Sequence, residues 1–359
     1  MTRKLLIYSD KKFLPLNSGW SEILYPFWGK LPELSEMLGY ERFESYTKDG
    51  KHYFELIDDI KSCDIAVLPN DWKRYVRTNT EGLAKDFVKI AESWEKKVLC
   101  SYFADDDNEI PLKNAIILRP SLNKSSKKNT ELAMPAWVMD YYSYQKTEMP
   151  IRKWEPKPVV SFCGYAKAGI RKILINELHR FQGKPYSPGY HGLKLRWKIL
   201  NIIKHSKRIN SNIRIKSEYF GGILNKNKYQ YYSTIQKVRE QYFENVVNSD
   251  YVLCIRGAGN FSFRFYEALA CGRISVFVNT DCSLPFDELF IDYKKHCVWI
   301  EEEDFDSLEE RILQFHQSLS ADEFINIQHK NRELWINYLT PVGYFKHLTY
   351  ALSNILKIQ

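Results

Sequence analysis

Residues 249–286 contain the pattern that most constrains the fold of this chain. Apolar runs at 251–255 and 274–278 flank a turn with Gly257 and Gly259, which is followed by a segment with helical spacing. This order predicts a strand, a tight turn, a helix and a second strand. Because glycines let backbone N–H groups approach a ligand closely at the positive end of a helix, the turn suits a phosphate group.

The rest of the chain repeats the alternation of strand and helix. Buried strands are predicted at 4–9, 64–69, 98–103, 115–118 and 159–163, and helices at 80–97, 171–181, 229–247, 304–318 and 324–356. Alternation of this kind predicts an α/β fold with parallel sheets covered on both faces. A proline-rich linker near residue 150 divides the chain into domains at 1–150 and 151–330, and we expect helices at 331–359 to pack back on the first domain.

Cysteine usage and the absence of long apolar runs indicate an unexported protein. The seven cysteines stand singly without a C-x-x-C pair, which fits reduced thiols in a cytoplasm better than disulfides or a zinc site. No apolar run approaches the roughly 18 residues of a membrane-spanning helix. The run at 5–8 is too short for a signal peptide. We therefore expect a soluble cytoplasmic protein.

Positive charge is concentrated in a basic band at residues 194–228. Ten Lys or Arg stand there against one acid, Glu218, so the band carries +9 and leaves −1 for the rest of a chain whose net charge is +8. The band predicts either a solvated face whose Trp197 and 199–203 pack inward, or contact with an anionic membrane surface or a lipid-linked acceptor. No base-stacking module accompanies the charge, so nucleic acid is not expected as a partner.

Three polar residues after the glycine turn have spacings that fit a nucleoside diphosphate. Ser262 would cap the helix through its hydroxyl, which leaves neighbouring N–H groups for an anion. Arg264 and Glu267 share a helix face, and Glu267 lies roughly 7 Å along the axis from Ser262. Arg264 would pair with the diphosphate while the Glu267 carboxylate accepts both ribose hydroxyls. The alternative is a plain ion pair between Arg264 and Glu267.

The ordered residues of this stretch resemble the C-terminal signature of the exostosin-like glycosyltransferases, glycosyltransferase family 47. The matching residues are Asp250-Tyr-Val-Leu-Cys-Ile-Arg-Gly, Gly259-Asn, Ser262, Arg264, Glu267, Leu269-Ala, Gly272-Arg-Ile and a closing Leu-Pro-Phe at 284–286. Weaker similarity covers 63–69 and 160–164 with Arg171. The chain departs from the family at Ser275, where relatives carry Pro, and we expect no membrane anchor like that of the animal members. The resemblance therefore implies a bacterial-type enzyme of surface-polysaccharide biosynthesis.

The resemblance also implies an architecture and a donor site. The family has the GT-B architecture, in which two Rossmann-like, doubly wound domains face a cleft and a sugar leaves a nucleotide donor, mostly with inversion. The donor-site residues implied here are Arg264 and Glu267, with Gly257, Gly259, Asn260 and Ser262 shaping the phosphate loop. Arg171, which begins a helix after Gly164, is a second candidate for the diphosphate, with a solvated arginine as the alternative. Arg256 would either contact phosphate or brace the loop.

Direct inverting attack requires a base for the acceptor hydroxyl, whereas arginines and helix N-termini can stabilise the leaving diphosphate without a metal or other cofactor. The candidate bases follow strands of the N-terminal domain, and they are Asp10, Asp71, Asp105, Asp106 and Asp107. Asp106 is our choice of base. The three adjacent aspartates would alternatively form a solvated acidic turn or a metal cluster.

The sequence predicts a glycosyltransferase that moves a hexosyl or pentosyl group from a nucleotide sugar to an oligosaccharide or lipid-linked glycan acceptor. Two other functions fit the same fold. A retaining transferase would differ in the anomeric configuration of its product. A non-catalytic nucleotide- or glycan-binding protein would bind nucleotide without turnover.

Overall fold

The structure, a computed structural model, describes residues 3–30, 40–166, 170–183, 189–216 and 228–357. For residues 40, 170–172 and 228–233 it describes the backbone alone. The chain forms two compact units. Unit 1 contains Met1–Met139, Asp281–Leu289 and Trp335–Gln359, and unit 2 contains Asp140–Thr280 and Phe290–Leu334.

A six-stranded parallel sheet forms the centre of unit 1. Its strands are β1 (Leu5–Tyr8), β2 (Phe54–Leu56), β3 (Ile65–Val67), β4 (Val98–Ser101), β5 (Ala115–Arg119) and β6 (Glu131–Ala133). Their spatial order is β2-β1-β3-β4-β5-β6, and every pairing is parallel. The chain order reverses between β1 and β3. In open α/β sheets the carboxyl ends of the strands at such a reversal are where ligands bind.

Unit 2 repeats this topology with five parallel strands. They are β7 (Val159–Tyr165), β8 (Asn210–Lys216), β9 (Tyr251–Cys254), β10 (Ile274–Asn279) and β11 (Cys297–Glu301). The spatial order is β11-β10-β9-β7-β8, so the strand order reverses between β7 and β9. The carboxyl ends of β7 and β9 are therefore the expected ligand site of this unit.

Helices connect the strands within each unit. Unit 1 contains α1 (Tyr25–Trp28), α2 (Glu44–Asp49), α3 (Trp72–Arg77), α4 (Glu81–Ser93) and, at the end of the chain, α12 (Pro341–Leu356). Unit 2 contains α5 (Tyr141–Gln145), α6 (Ile170–Phe181), α7 (Tyr190–His205), α8 (Lys228–Val247), α9 (Phe263–Ala270), α10 (Leu308–Gln317) and α11 (Ala321–Leu334). Short 3-10 turns lie at Lys11–Phe13, Glu22–Leu24, Tyr40–Phe43, Gly50–His52, Ile60–Ser62, Tyr293–Lys295 and Glu302–Ser307, and Trp335–Leu339 is a π-helix.

Apolar periodicity explains how these helices pack. In α4 the buried residues are Ala84, Phe87, Val88 and Ala91, which recur at helical spacing and join the core of unit 1. Pro341 occupies the first turn of α12, and the hydroxyl of Thr340 accepts the N–H of Gly343, so the long C-terminal helical pattern is divided at this point.

The last helix packs within unit 1. Phe345 stacks on Tyr46 with ring centroids 4.4 Å apart, and Tyr344 makes an edge contact with Trp137 at 5.5 Å. The hydroxyl of Tyr344 donates to the carbonyl of Ala133 at the end of β6. Aromatic packing of this kind fixes the C-terminal segment to the first sheet.

The fold class predicted from the sequence, α/β with two Rossmann-like parallel sheets, is confirmed. The sequence did not predict β2, β6, β8 or β11. The first two have only three residues each, and β8 lies at an exposed edge of its sheet inside the basic band, where polar and charged side chains obscure the strand pattern. Across the described ranges of the chain, no helix is both long and apolar enough to cross a membrane.

The signature stretch is divided between the two units. Its strand, turn, helix and second strand are β9, α9 and β10 of unit 2, whereas residues from Asp281 onward belong to unit 1. Ser125 donates to the Asp281 carboxylate through both its N–H and its hydroxyl, and the N–H of Ser283 donates to the carbonyl of Leu122. The closing Leu-Pro-Phe therefore belongs to a segment that is anchored to the loop after β5.

Candidate functional site

The carboxyl ends of β7 and β9 are joined by a buried arginine. Arg196 of α7 donates from Nη1 to the carbonyl of Tyr165 and from Nη2 to the carbonyl of Ile255, both at 3.1 Å. Charge-assisted hydrogen bonds of this kind hold two strand ends at a fixed separation. In the sequence Arg196 is only one charge of the basic band, because a helix position alone does not show which strands the side chain reaches.

Arg264 lies at the same edge of the sheet. Its Nε and Nη2 donate to the carbonyl of Cys163 in β7 at 3.1 and 3.0 Å, and its guanidinium stacks on Phe162 at 4.5 Å. The side chain crosses directly over Gly164, where an added Cβ would lie only 2.0 Å from Nη2. Within the described residues Nη1 has no protein partner. The alternative of a plain ion pair between Arg264 and Glu267 is not observed.

Ser262 begins α9 without capping it. It occupies the N-cap position in an extended conformation, but its side chain accepts no N–H from the first turn, so the predicted capping bond is wrong. The hydroxyl is instead buried without a hydrogen-bond partner in the part of the chain that the structure describes. Buried polar atoms without partners are rare in folded proteins, and one at a helix N-terminus fits a bound anion.

Glu267 retains some exposure on α9 while protein atoms surround its carboxyl group. Burial raises the pKa of Glu267, and this rise is opposed by the hydroxyl of Tyr242 and by the charges of Arg264 and Arg239. Tyr242 itself is buried next to Glu267. Tyr242 could not be identified from the sequence, because nothing in the pattern of α8 distinguishes its inward-facing polar residue from the core.

The glycine turn is braced by side chains around it. Asn260 donates to the carbonyl of Thr280 at 2.9 Å and accepts from the Thr280 hydroxyl, so its amide fixes the turn to the end of β10. Arg256 donates to the carbonyl of Ala258 at 3.4 Å, which favours its bracing role over phosphate contact. Gly257 and Gly259 lie in the turn between β9 and α9, and neither has a positive φ. The turn therefore does not need them for left-handed geometry, and what they provide is the absence of a side chain.

Helix α7 contacts this turn through a glycine. A Cβ added at Gly192 would lie 2.5 Å from the carbonyl oxygen of Gly257 and 2.6 Å from that of Arg256. We expect Gly192→Ala to lower the free energy of unfolding by about 1–3 kcal/mol and to weaken nucleotide binding, since backbone must move. Urea unfolding and nucleotide titration measure the two effects.

Gly82→Ala provides the matched control. Gly82 lies in the first turn of α4 with no atom within 4 Å of an added Cβ, so this substitution is expected to be neutral or to stabilise by about 0.4–1 kcal/mol. Equal stability changes in the two variants would contradict the close packing of α7 on the turn.

Arg171 remains a prediction. Its backbone lies in the first turn of α6, as the sequence analysis expected, but its side chain falls outside what the structure describes. Its role at the diphosphate is therefore a proposal that depends on its position after β7 alone.

In unit 1, Asp71 lies at the reversal of the strand order. It follows β3 and caps α3 by accepting the N–H of Lys73, while its other oxygen accepts the N–H of Phe103 after β4. Burial raises the pKa of Asp71 to about 7, and the nearby Glu22 carboxylate adds to the rise. A carboxyl group with such a pKa can accept a proton near neutral pH.

Glu22 was missed by the sequence analysis. It begins a 3-10 turn, and the preceding residue is fixed to two strand ends: the N–H of Ser21 donates to the carbonyl of Pro69, and the Ser21 and Ser101 hydroxyls share a hydrogen bond of 2.9 Å. Burial raises the pKa of Glu22. No local motif precedes it, so only the folded loop shows that this carboxyl group lies near Asp71.

The three adjacent aspartates have different surroundings. The Tyr102 hydroxyl donates to the Asp106 carboxylate and lies 2.8 and 2.9 Å from its two oxygens, and Asp106 lies 4.0 Å from the guanidinium of Arg119. Asp105 and Asp107 are exposed, and Asp107 accepts from Asn123. Among the described residues, no group of three His, Cys, Asp or Glu side chains is arranged to hold a metal ion.

The raised pKa of Asp71 predicts how stability depends on pH. The unfolded carboxyl ionises near its ordinary value of 3.8, whereas the folded one stays protonated until about pH 7. The free energy of unfolding should therefore fall by a few kcal/mol as the pH rises from about 4 to 7, and level off above. Chemical denaturation across this range, compared with Asp71→Asn, measures the contribution. An identical pH dependence in the two proteins would contradict it.

Comparison with known proteins identifies the class. The exostosin GT47 domain matches residues 107–314, which is more than half of the chain. The chain therefore belongs to the exostosin GT47 family, and it is a glycosyltransferase. Among solved structures, a glycosyltransferase from Rickettsia africae ESF-5 aligns over 100% of both chains with 13% sequence identity and a TM-score of 0.37. No curated protein matches the chain.

Proposed function

We propose that this glycosyltransferase takes its sugar from a nucleoside diphosphate donor bound at the carboxyl ends of β7 and β9. One observation supports this most strongly: at this edge, the unpaired Nη1 of Arg264, the orphan hydroxyl of Ser262 and the carboxylate of Glu267 lie on the first two turns of α9. The first two groups are donors suited to a diphosphate, and the third is an acceptor for ribose hydroxyls.

The same residues would assist departure of the diphosphate. Charge develops on the leaving oxygen in the transition state, and a guanidinium fixed by Cys163 and Phe162 meets that charge without reorganising. Because cationic and N–H groups supply this stabilisation, we propose that transfer is independent of metal. Activity should then be unchanged by a chelator such as EDTA.

For the acceptor side, we propose Asp71 as the base that removes the hydroxyl proton. The raised pKa of its buried carboxyl group suits proton acceptance, whereas Asp106 is engaged by Tyr102 and Asp105 is exposed. Direct attack by the deprotonated hydroxyl inverts the anomeric carbon. Product configuration, measured by NMR, separates this from retention. The proposed acceptor is an oligosaccharide or lipid-linked glycan in polysaccharide biosynthesis in the cytoplasm.

A thermal-shift panel tests the donor proposal. UDP, GDP, ADP, CDP and dTDP are added separately at equal excess, with inorganic pyrophosphate as the control that lacks a nucleoside. We expect one nucleotide to raise the melting temperature clearly more than pyrophosphate does, since stabilisation grows with the logarithm of ligand excess over Kd. The absence of any stabilisation beyond that of pyrophosphate would contradict the proposal.

A further inference from the structure

Helix α6 has an inverted distribution of polar and apolar residues. Its spacing predicts that Ile173, Leu174, Ile175 and Leu178 share an apolar side, which in a globular protein ordinarily packs inward. In the structure Leu174, Leu178 and Phe181 are instead exposed to 65%, 55% and 91% of their surface. The residue that faces inward is Asn176, which is fully buried. Because positions 174, 178 and 181 recur on one helical face, the three side chains form a continuous apolar stripe.

Cations of α6 and α7 lie beside this apolar stripe. A salt bridge of 3.6 Å between Lys194 of α7 and Glu177 of α6 holds the two helices side by side. Arg180, Lys194 and Lys198, together with His191 and Glu302, line a cavity of about 300 Å³ between α6, α7 and the 3-10 turn after β11. The cavity therefore carries an excess of positive charge, and one of its cations, Arg180, directly precedes the exposed Phe181 in the chain.

Helix α7 also exposes a large aromatic side chain together with cations. Trp197 is 64% exposed, which corrects the expectation that it packs inward, while Ile199 and Ile203 are buried as expected. Lys204 and Lys207 are exposed, and no acidic side chain of the described residues pairs with either of them. Part of the basic band, residues 217–227, lies outside the described residues.

We propose that the exposed face of α6 and α7 docks on an anionic lipid bilayer. Large aliphatic and aromatic side chains would enter the interface between headgroups and acyl chains, while the surrounding lysines and Arg180 meet lipid phosphates. In the cavity the three cations Arg180, Lys194 and Lys198 stand against the Glu302 carboxylate, which pairs with His191. The cavity therefore has the net positive charge to receive one headgroup phosphate.

The positive charge of this face favours a bilayer over a second copy of the chain as its partner. A symmetric dimer formed through this face would bring the cations of both copies together, which disfavours self-association. An anionic bilayer has both an apolar acyl-chain region and negatively charged headgroups, so it complements both the apolar stripe and the cations.

Vesicle flotation of the full chain tests the proposal. We expect the protein to float with vesicles of phosphatidylcholine mixed with phosphatidylglycerol, and much less with phosphatidylcholine alone. The variant Leu174→Ser/Leu178→Ser/Phe181→Ser should bind at least about tenfold more weakly. The variant Lys204→Gln/Lys207→Gln should lose about fivefold in vesicle affinity for each charge removed. Added salt should reduce the vesicle binding of the wild type.

Two control variants distinguish binding through this surface from nonspecific binding to vesicles. Leu16→Ser removes a leucine that is 87% exposed in unit 1, and Lys85→Gln/Lys113→Gln removes two exposed cations elsewhere. Both variants should float like the wild type, and all variants should retain their melting temperatures. Failure of the wild type to float at low salt would overturn the proposal, as would unchanged flotation of the stripe variant. The proposal would also be overturned if light scattering showed that the wild type is a dimer and that the stripe variant is a monomer.

Discussion

Replacing Glu267 by glutamine is expected to weaken binding of the cognate ribonucleoside diphosphate by about 10- to 100-fold. The carboxylate can accept two ribose hydroxyls, whereas an amide oxygen accepts at most one in the same geometry and loses the charge-assisted contribution. Titration calorimetry at neutral pH measures the change, using the nucleotide that stabilises the protein most.

A nucleotide without ribose hydroxyls makes this test specific. The wild type should discriminate against the 2′,3′-dideoxy analogue by at least about tenfold, whereas Glu267→Gln should bind the two nucleotides within about threefold of each other. Glu288→Gln, which changes an exposed carboxylate paired with Lys127, serves as the control. If Glu267→Gln still discriminates as the wild type does, the ribose assignment is wrong.

Replacing Arg264 by alanine should reduce kcat by about 100- to 1,000-fold, because a preorganised donor to the developing charge is lost. Lysine should restore little of this activity. Its ammonium group cannot donate twice to the Cys163 carbonyl, stack on Phe162 and still direct a donor at phosphate. Steady-state kinetics with the cognate donor measure kcat and KM separately.

Arg208→Ala is the matched control for Arg264. Arg208 is an exposed arginine paired with Glu309 and Glu310, so its loss should change kcat less than about twofold. A loss in Arg264→Ala that is confined to KM would indicate ground-state binding alone and would contradict the proposed role in the transition state.

The residues proposed to bind the donor could largely be predicted from sequence, because they are contiguous in the chain. The strand, turn and helix around Gly257 and Arg264 appear in the structure where the apolar runs predicted them. The spacing of residues along the chain could not predict the hydrogen-bond partner of each side chain. Arg264 bonds to the carbonyl of Cys163, which lies 101 residues away along the chain, rather than to Glu267.

Long-range pairing also explains the missed residues of unit 1. Glu22 lies in a loop without helical or strand periodicity, and its place near Asp71 results from hydrogen bonds of Ser21 to Pro69 and Ser101. Similarly, Asp71 and Asp106 each follow a strand, and Asp106 was our choice of base from the sequence. Burial and hydrogen-bond partners distinguish them, and neither property can be assigned before the fold is known.

Helix α6 illustrates the limit of periodicity. The spacing of its apolar residues correctly predicted a helix with an apolar side, and such a side ordinarily faces the core. Periodicity indicates that apolar residues share a face, yet it does not show whether that face meets protein, lipid or solvent. The exposed fraction of Leu174 and Phe181 provides that information.

The most direct test of the central claim is a crystal structure of the protein with the nucleoside diphosphate that stabilises it most. We predict a diphosphate within hydrogen-bond distance of Arg264 and Ser262, at the carboxyl ends of β7 and β9, and ribose hydroxyls on the carboxylate of Glu267. A nucleotide bound in the cavity lined by Arg180, Lys194 and Lys198, or in unit 1 beside Asp71, would contradict the donor assignment.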